Sequence, residues 1–402
     1  MKVKIRVIIV CLFMMCLVFG CAGGKKAESE WAGTVEQENG VRVVNNPEEP
    51  FYGNLELILE QDLSIGNEED DNYLFFRAYG MDVDSEGNIY VMDAGNFRIQ
   101  KFDSSGEYLQ TIGKKGQGPG EFERIQGFYI DGENNLYVSS GMKIQIFNER
   151  GEFIKSIPLS FQINDFWISP DDFIYCLVYS FAEGESSRRV VKIDMKGKEI
   201  EEIDRFGSLK IVTRRSGGQT AAFILSHSYN HSMHLVPFQY KGLVYAYSAE
   251  YSLSHLNLMG ELDFIIKKNE PYQSISKREK DKIIQDAKDS MSDRGQTWPD
   301  EVIEEACQFP EHRPFFSGLA VDDQGRIYVR RVRSALEEEE THKFDIFSAD
   351  GYYLYKTEID FNPSLIKDGF VYRIETDEEA GTVRIIRYRV KNWDQIKTTI
   401  PQ

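Results

Sequence analysis

The sequence has little of two features that would place it in familiar protein classes. Its longest uncharged hydrophobic run, residues 7–19, has thirteen residues, which is too short to span a bilayer comfortably as a helix. Positive charge is also scarce, because 47 Lys and Arg residues face 65 Asp and Glu residues and leave a formal net charge of −18. Phosphate binding needs a basic surface or stripe, so we expect no nucleic-acid partner.

Cysteine is rare as well, with five residues in 402. Cys11 and Cys16 lie in an N-terminal segment that we expect to be removed, so the mature chain would keep Cys21, Cys176 and Cys307. An exported compartment permits a disulfide between the last two. However, Cys176 lies in an apolar strand pattern and Cys307 in a helical one, where a buried free thiol is the commoner state.

What the chain does have is enough apolar surface to fold. Hydrophobic residues make up 41% of it and aromatic residues 13%, including 21 Tyr and 26 Phe. A disordered chain has few aromatics, so this composition predicts a sizeable core. Aromatic residues also favour strands.

The N-terminus has the pattern of an export signal. Residues 1–6 are basic, the hydrophobic run follows, and Val-Phe-Gly-Cys at 18–21 resembles the lipobox of bacterial lipoproteins. The resemblance implies that residues 1–20 are a signal peptide and that Cys21 receives lipid and becomes the mature N-terminus. An ordinary signal peptide cleaved nearby, or an uncleaved anchor, are the alternatives. Removing Lys2, Lys4 and Arg6 would change the net charge from −18 to −21.

The processed chain would lie in the bacterial cell envelope, lipid-anchored and extracytoplasmic, with the inner or outer membrane undetermined. Residues 21–50 are polar and lack a sustained apolar period. This composition predicts a flexible tether that holds the folded part off the membrane.

The rest of the chain, residues 51–402, contains an internal repeat. Each copy has an apolar segment that ends in Asp or a polar turn, a Gly-x-Ile/Leu-Tyr-Val-like strand, a third strand, and Gly-Glu before a fourth strand. The tyrosine of the second strand recurs six times, as Tyr90, Tyr137, Tyr175, Tyr245, Tyr328 and Tyr372. Four short strands cannot bury both faces alone and must stack on neighbours. The sequence therefore predicts an all-β fold, a six-bladed β-propeller.

We expect the ring to close through its two chain ends. Residues 55–59 resemble a lone fourth strand, and the last repeat is followed only by a weak segment, 395–400. The N-terminal strand would complete the sixth blade and remove an exposed sheet edge.

The first repeats resemble a known family. The segments VMDAGNFRI at 91–99 and IGKKGQGPGEF at 112–122 resemble NHL-repeat propellers, particularly six-bladed propeller lipoproteins of bacteria. The resemblance covers residues 75–160 best, 317–360 less well and the rest weakly. It implies the fold, but it says little about function because such propellers include binding scaffolds and unrelated enzymes.

Two long insertions follow fourth strands, at 204–234 and 267–316. In a propeller, connections after second and fourth strands open on one face, so we expect both insertions, and the long hairpins at 180–187 and 330–342, on that face. The second insertion lies between blades four and five and has helical patterns. Its features are a capping box of Ser276 and Glu279 with a stripe of Ile283, Ile284, Ala287 and Met291, then Pro299 before Val302, Ile303, Ala306 and Cys307. We expect a helical cap over part of the propeller mouth, either static or a moving lid.

Three histidines in the first insertion are the candidate metal ligands. His227, His231 and His234 would align if the segment were helical, and imidazole is a good ligand for a divalent metal. A polar loop is the alternative. In amidating-lyase-like propellers the metal-binding histidines come from separate blades, so this local cluster differs from that pattern.

Arginines are the candidate ligand-binding residues, because their forked donors suit an anionic sugar, a peptide carboxylate or an acidic partner. The candidates are Arg98, Arg124, Arg214, Arg215, Arg330 and Arg331, with Trp167 as a stacking surface. The alternatives are structural. Within the NHL resemblance, Asp93, Asn96 and Arg98 match a turn motif, residues 337–340 could neutralise Arg330 and Arg331, and strand aromatics are more often core.

These observations predict a membrane-anchored binding or scaffolding module for a protein, peptide or glycan of the cell envelope, without a cofactor. The alternative is a metal-dependent lyase or hydrolase whose site lies in the propeller mouth and holds a divalent metal.

Overall fold

The structure is a computed structural model that describes residues 30–401 except 183–184, 211, 217–218, 224, 239–240, 294, 296–297, 339–340 and 378–381. The expected signal peptide, 1–20, and Cys21 lie outside the described residues. No helix in the described part of the chain combines the length and the apolar character needed to cross a membrane.

Six sheets, the blades, make up most of the described chain, and each has four strand positions from the inside of the ring to the outside. Four strands precede the first complete blade: β1 (Thr34–Glu38), β2 (Val41–Asn46), β3 (Asn54–Leu55) and β4 (Leu59–Ile65). Blade one is β5 (Ala78–Val83), β6 (Ile89–Asp93), β7 (Arg98–Phe102) and β8 (Tyr108–Ile112). Blade two is β9 (Gly127–Ile130), β10 (Leu136–Ser139), β11 (Lys143–Phe147) and β12 (Phe153–Pro158). Blade three is β13 (Phe166–Ile168), β14 (Phe173–Ala182), β15 (Glu185–Asp194) and β16 (Glu199–Lys210), followed by the hairpin of β17 (Val212–Ser216) and β18 (Gln219–Phe223).

Blade four is β19 (Met233–Phe238), β20 (Gly242–Tyr247), β21 (Ser252–Leu256) and β22 (Leu262–Lys268). The helices α1 (Lys277–Asp293) and α2 (Asp300–Ala306) follow it. Blade five is β23 (Phe316–Val321), β24 (Ile327–Arg331), β25 (His342–Phe347) and β26 (Tyr353–Ile359). Blade six is β27 (Leu365–Lys367), β28 (Phe370–Asp377), β29 (Thr382–Val390) and the N-terminal β4, with a short 3₁₀ turn at Trp393–Gln395. This confirms the predicted all-β six-bladed propeller with a helical insertion between blades four and five.

In blades one, two and five the recurring tyrosine joins the second strand to the turn before it. Tyr90 donates its hydroxyl hydrogen bond to Asp84 at 3.2 Å, and Tyr328 donates to Asp322 at 3.0 Å. Asp84 also accepts hydrogen bonds from backbone amides of its own turn, at Glu86 and Asn88. The repeated Asp and Tyr therefore secure the same turn in blades one, two and five, whereas the Tyr175 hydroxyl donates to the Met259 carbonyl of blade four.

The core is divided among the spaces between blades. A separate cluster of buried apolar residues lies between each pair of neighbouring blades, including the pair formed by blades six and one. The innermost strands β5, β9, β13, β19, β23 and β27 contact one another in that order, and β27 contacts β5. Close approach is required where Gly260, with a φ of +77°, meets the Tyr175 hydroxyl of the previous blade, because a Cβ there would lie 1.7 Å from that oxygen.

The ring closes where β4 completes blade six. β4 runs antiparallel to β29, with Ile65 opposite Ile385. Closure of this kind was predicted, but its assignment to residues 55–59 is wrong, because Leu55 instead ends β3, which pairs with β26 as a fifth strand of blade five. Burial explains the shift: Ile65 is 2% exposed between blades six and one, whereas Ile58 is 53% exposed.

The expected flexible tether, residues 21–50, is a wrong prediction for its C-terminal half. β1 and β2 form an antiparallel hairpin there, and β2 pairs in parallel with β22 to extend blade four to six strands. Val43 and Val44 in β2 are fully buried. The prediction failed because β1 is an edge strand that is exposed along its whole length. Its sequence is therefore polar and lacks the alternation of apolar residues that indicates a strand.

The two insertions have different structures. The first was predicted to begin at 204, but β16 continues to Lys210 and the following segment forms the β17–β18 hairpin. The second contains the predicted capping box, in which the backbone amide of Ser276 donates to Glu279 at 3.0 Å and that of Glu279 donates to the Ser276 hydroxyl at 3.3 Å. Cys307 lies beside α2 and, like Cys176 in β14, is a buried free thiol.

Candidate functional site

The connections that leave second and fourth strands contact one another, and we call the surface they form the elaborated face. Gly95 donates a backbone hydrogen bond to Phe76, Gln126 to Ser139, and Phe315 to Ser248. In each pair one residue lies in a connection after a fourth strand. The other lies at the end of a second strand or in the connection after it. We call residues 269–315 the cap and the opening that the innermost strands surround on this face the mouth.

A buried carboxylate holds the cap to two other segments. Glu279 in α1, which is 1% exposed, accepts hydrogen bonds from the Tyr229 hydroxyl and from the Ser334 hydroxyl at 2.9 Å. Arg313 forms an ion pair with it at 2.6 Å. The Tyr229 hydroxyl in turn accepts the backbone amide of Ala335 at 2.8 Å. The first insertion, the cap and the loop after β24 are therefore fastened at one point.

The ionised form of Glu279 is favoured in the folded protein. Burial alone would raise the pKa of this carboxyl, but hydrogen bonds from Tyr229, Ser276 and Ser334 outweigh it and lower the pKa to about 2. An ionised, buried carboxylate that is bound by donors from three segments would be costly to separate from them. This arrangement supports the static alternative for the cap.

The innermost strands begin at the elaborated face, around the mouth. Each of them has a polar residue at or next to its first position. The residues at or next to those strand starts are Tyr79, Gln126, Asp165, His234, Ser317 and Ser364. They come from all six blades. No short sequence motif unites them, so only the closed ring brings them together.

Arg330 lies on the blade-five side of the mouth and has neutral partners. Its Nε donates to the Ser317 hydroxyl at 3.0 Å, one terminal nitrogen donates to the Ser317 carbonyl at 2.9 Å, and the other donates to the Asn362 side chain. Burial lowers the pKa of this guanidinium. Among the described residues no carboxylate of the predicted neutralising run 337–340 bonds to this side chain, and residues 339–340 lie outside them.

Arg188 lies on the blade-three side. One terminal nitrogen donates to the His231 carbonyl at 2.8 Å, and the guanidinium lies over the Tyr179 ring at 5.7 Å. Its Nε is buried and has no hydrogen-bond partner among the described atoms. Sequence reasoning missed this residue, because nothing in the alternating strand pattern of β15 separates it from its neighbour Arg189.

The three candidate histidines do not converge. His227 Nε2 lies 3.1 Å from the Gln308 carbonyl, His231 Nε2 lies 3.1 Å from the His312 carbonyl, and His234 Nε2 lies 2.9 Å from the Ser232 hydroxyl. The helical alignment that would bring them together is wrong, because residues 228–230 form a turn and His234 belongs to β19. Within the described ranges, no group of three His, Cys, Asp or Glu side chains has the arrangement of a metal site.

Two mouth residues have strongly shifted pKa values. Burial, followed by the charges of Arg330 and Arg188, lowers the pKa of His234 to about 4, so its ring is neutral at pH 7. Burial raises the pKa of Asp165 to about 6. Asp165 remains solvent-accessible, which is consistent with a concave surrounding that removes much of its hydration while leaving it open to a ligand.

Large aromatic side chains are exposed on the elaborated face. Tyr272 in the cap is 68% exposed, Tyr79 at the start of β5 is 56% exposed, and Tyr179 in β14 is 46% exposed. The Tyr272 ring lies 4.3 Å from the His312 ring, which lies 4.8 Å from the His231 ring. A row of rings therefore leads from the cap to the mouth.

Several candidate residues have structural positions instead. Arg98 donates to Asp93 at 2.8 Å and to the carbonyls of Asp71 and Leu74, so it braces the connection between blades six and one. Trp167 is 4% exposed and packs on Tyr175, so its prediction as a stacking surface is wrong.

The remaining arginines divide into three cases. Arg331 pairs with Glu270 and lies 3.8 Å from Asp345, so it joins the start of the cap to blade five. Arg124 is exposed in the connection between blades one and two. Arg214 and Arg215 lie in β17, and their side chains fall outside the part of the chain that the structure describes.

Three solved structures are similar to this chain at low sequence identity. A protein of Bacteroides fragilis described as exported is 12% identical, with a TM-score of 0.52, and the match covers 87% of this chain and 99% of that one. A DUF4221 family member from Bacteroides vulgatus is 10% identical, with a TM-score of 0.44 and coverage of 83% and 98%. Virginiamycin B lyase from Staphylococcus aureus is 11% identical, with a TM-score of 0.41 and coverage of 83% and 99%. The first of these likenesses shows the fold alone.

No curated protein matches the chain in sequence. A family model does match it, over residues 68–292. The matched region begins before blade one and ends in α1, and it contains Asp165, Arg188 and His234. Because the match covers more than half of the 402 residues, the chain belongs to the family described as a domain of unknown function, DUF4934.

Proposed function

We propose that this protein is an extracytoplasmic binding module, anchored to the cell envelope by lipid on Cys21, which holds a ligand in its mouth beside the cap. One observation carries the proposal. The cap, the first insertion and the loop after β24 are fastened to one another by Glu279, so the wall beside the mouth is preformed. A preformed site loses less conformational entropy on binding than a flexible one.

The lining of the mouth supports a binding role. Exposed aromatic rings such as Tyr179 and Tyr272 offer contact area, and polar groups from several blades offer orientation. The Bacteroides fragilis protein described as exported has the same fold, which supports an extracytoplasmic location and a ligand of the envelope: a protein, a peptide or a glycan.

Anchoring is tested by Cys21→Ser. We expect the wild-type protein to fractionate with membranes and to incorporate labelled lipid, and the variant to lose the label because the acceptor thiol is absent. Lipid labelling that persists in Cys21→Ser would contradict the anchor without affecting the proposal for the mouth.

Binding is tested by capture from envelope extracts. We expect a ligand whose recovery falls at least about tenfold with Tyr272→Ala, which corresponds to about 1.4 kcal/mol. Met259→Ala is the matched control, because Met259 is 58% exposed in the β21–β22 turn on the opposite face. Equal losses with both variants, or no loss with either, would contradict a ligand in the mouth.

A lyase or hydrolase is the second candidate, and Asp165 is the observation that favours it. A carboxyl group with a pKa of about 6 can exchange a proton near neutral pH. We expect Asp165→Asn to leave capture intact if the protein only binds. Conversion of the captured ligand by the wild type, abolished in Asp165→Asn, would support the enzyme. Stoichiometric metal in the purified protein that is lost in His231→Ala would support a metal-dependent one.

A further inference from the structure

Most arginines that are buried or partly buried in the described part of the chain pair with a carboxylate. Arg98 pairs with Asp93 at 2.8 Å, Arg326 with Asp322 at 2.6 Å, and Arg313 with Glu279 at 2.6 Å. Pairing is expected, because a charge removed from water is costly unless an opposite charge compensates for it. With a net charge of −18, the chain has more carboxylates than basic side chains, so partners for its arginines are abundant.

Arg330 and Arg188 depart from this rule. Neither has a carboxylate partner among the described residues, although both are largely removed from solvent. The Arg330 guanidinium is bound by the hydroxyl and carbonyl of Ser317 and by Asn362, all of them neutral. Arg188 keeps a buried Nε without a described acceptor. Both guanidinium charges are therefore not compensated by a described carboxylate, and an anionic ligand would supply the missing negative charge.

The two arginines flank one residue of the mouth. Arg188 bonds to the carbonyl of His231, and Ser232, the next residue, contacts His234. On the other side, the His234 ring lies 5.7 Å from the ring of Phe316, which precedes the Ser317 that binds Arg330. The charges of both arginines also contribute to lowering the pKa of His234, which agrees with this placement.

We propose that Arg188 and Arg330 form an anion subsite on either side of His234, and that it binds the carboxylate of a uronic-acid saccharide. The inference rests on the proposed binding function and names the class of ligand. A guanidinium presents parallel donors that match the two oxygens of a carboxylate. His234, with its ring neutral at pH 7, adds a polar group without adding charge.

The neighbouring rings favour a saccharide over other carboxylates. Tyr179 is 46% exposed and lies directly under the Arg188 guanidinium, and Tyr272 extends the row of rings that reaches His231. A sugar ring has an apolar C–H face that packs on an exposed aromatic ring. A carboxylate at its edge would then point to the arginines. A peptide C-terminus offers the same charge without the flat ring, and it serves as the competing outcome.

The test uses isothermal titration of the full-length protein in detergent with oligomers of galacturonate, glucuronate and mannuronate, each beside its methyl ester. Methyl esterification removes the negative charge and keeps the ring. We expect at least one acid oligomer to bind and its ester to bind at least tenfold more weakly. Arg188→Gln and Arg330→Gln should each weaken the acid at least tenfold. Arg150→Gln should not, because Arg150 is exposed in the β11–β12 turn on the opposite face and carries the same charge.

Three results would overturn the inference: no acid oligomer binds, acid and ester bind equally, or only a peptide with a free C-terminus binds. Thermal unfolding of each variant shows that it is folded, and Arg330→Lys, which keeps the charge but not the fork, should recover part of the affinity. If the captured envelope ligand is neutral yet still depends on Tyr272, the binding function stands and the anion subsite fails.

Discussion

Glu279 is the residue on which the elaborated face depends most directly. It caps α1 through Ser276 and also joins Tyr229, Ser334 and Arg313, which are distant in the chain. Each of these partners would be left with an unmet donor if the carboxylate were lost. Leaving buried polar groups unpaired costs more than the bonds themselves contribute.

We expect Glu279→Gln to weaken the attachment of the cap by about 2 kcal/mol and to increase proteolytic cleavage between α1 and α2. The matched control is Glu301→Gln, an exposed residue of α2, which should leave the cleavage rate unchanged. Equal cleavage in the two variants would show that the cap is held by its apolar contacts instead.

The same residue predicts a pH dependence. The pKa of Glu279 in the folded protein, about 2, lies below the ordinary value of 4.5, so folding favours the carboxylate. Its contribution to stability is present above pH 4.5 and is lost as the pH falls toward 2. The difference in thermal midpoint between wild type and Glu279→Gln should therefore shrink over this interval, which calorimetry at several pH values can measure.

At the scale of elements, the N-terminal hairpin joins blades four and five. Asn46 at the end of β2 donates to the Gly351 carbonyl at 2.8 Å, and its side-chain oxygen accepts the backbone amide of Tyr353 at 2.8 Å. Asn46 is buried, whereas its neighbour Asn45 is only partly buried. The hairpin is therefore part of the folded body and not of the tether.

We expect Asn46→Ala to lower the free energy of unfolding by about 2 kcal/mol, since two buried backbone groups of blade five lose their partners. Asn45→Ala, in the same strand, should change it by less than about 0.5 kcal/mol. Denaturant titration measures both. A small effect of Asn46→Ala would show that water replaces the side chain in those bonds.

At the scale of the whole molecule, closure makes the stability of the ring a shared property. β4 supplies the outer strand of blade six, and Ile65 packs in the cluster between blades six and one together with Phe75 and Tyr372. Separating β4 from β29 would expose the apolar cluster between blades six and one and would leave unpaired strand edges.

We expect Ile65→Ala to lower the free energy of unfolding by about 3 kcal/mol and to raise hydrogen exchange in blades one and six together. The control is Ile58→Ala, in the connection between β3 and β4. It should have little effect because Ile58 is 53% exposed. Faster exchange confined to β4 would contradict cooperative closure.

The sequence by itself determined the features that arise from local spacing. The tyrosine–aspartate pairs of blades one, two and five and the Ser276–Glu279 capping box each act within one blade or one helix turn. Their chemistry is set by neighbours along the chain, so the number of blades, the closure of the ring by an N-terminal strand and the position of α1 could be predicted. The histidine alignment was local too, but it assumed a helix where the chain forms a turn.

Only the tertiary structure decided which polar groups share a site. Arg188, His234 and Arg330 come from three blades, and Glu279 meets Tyr229 across 50 residues of chain. The alternating pattern of a strand shows that a side chain lies on one face, but not which blade covers that face. The strand used for closure was decided in the same way, since Leu55 and Ile65 both lie in N-terminal strands but pair with different blades, β3 with β26 of blade five and β4 with β29 of blade six.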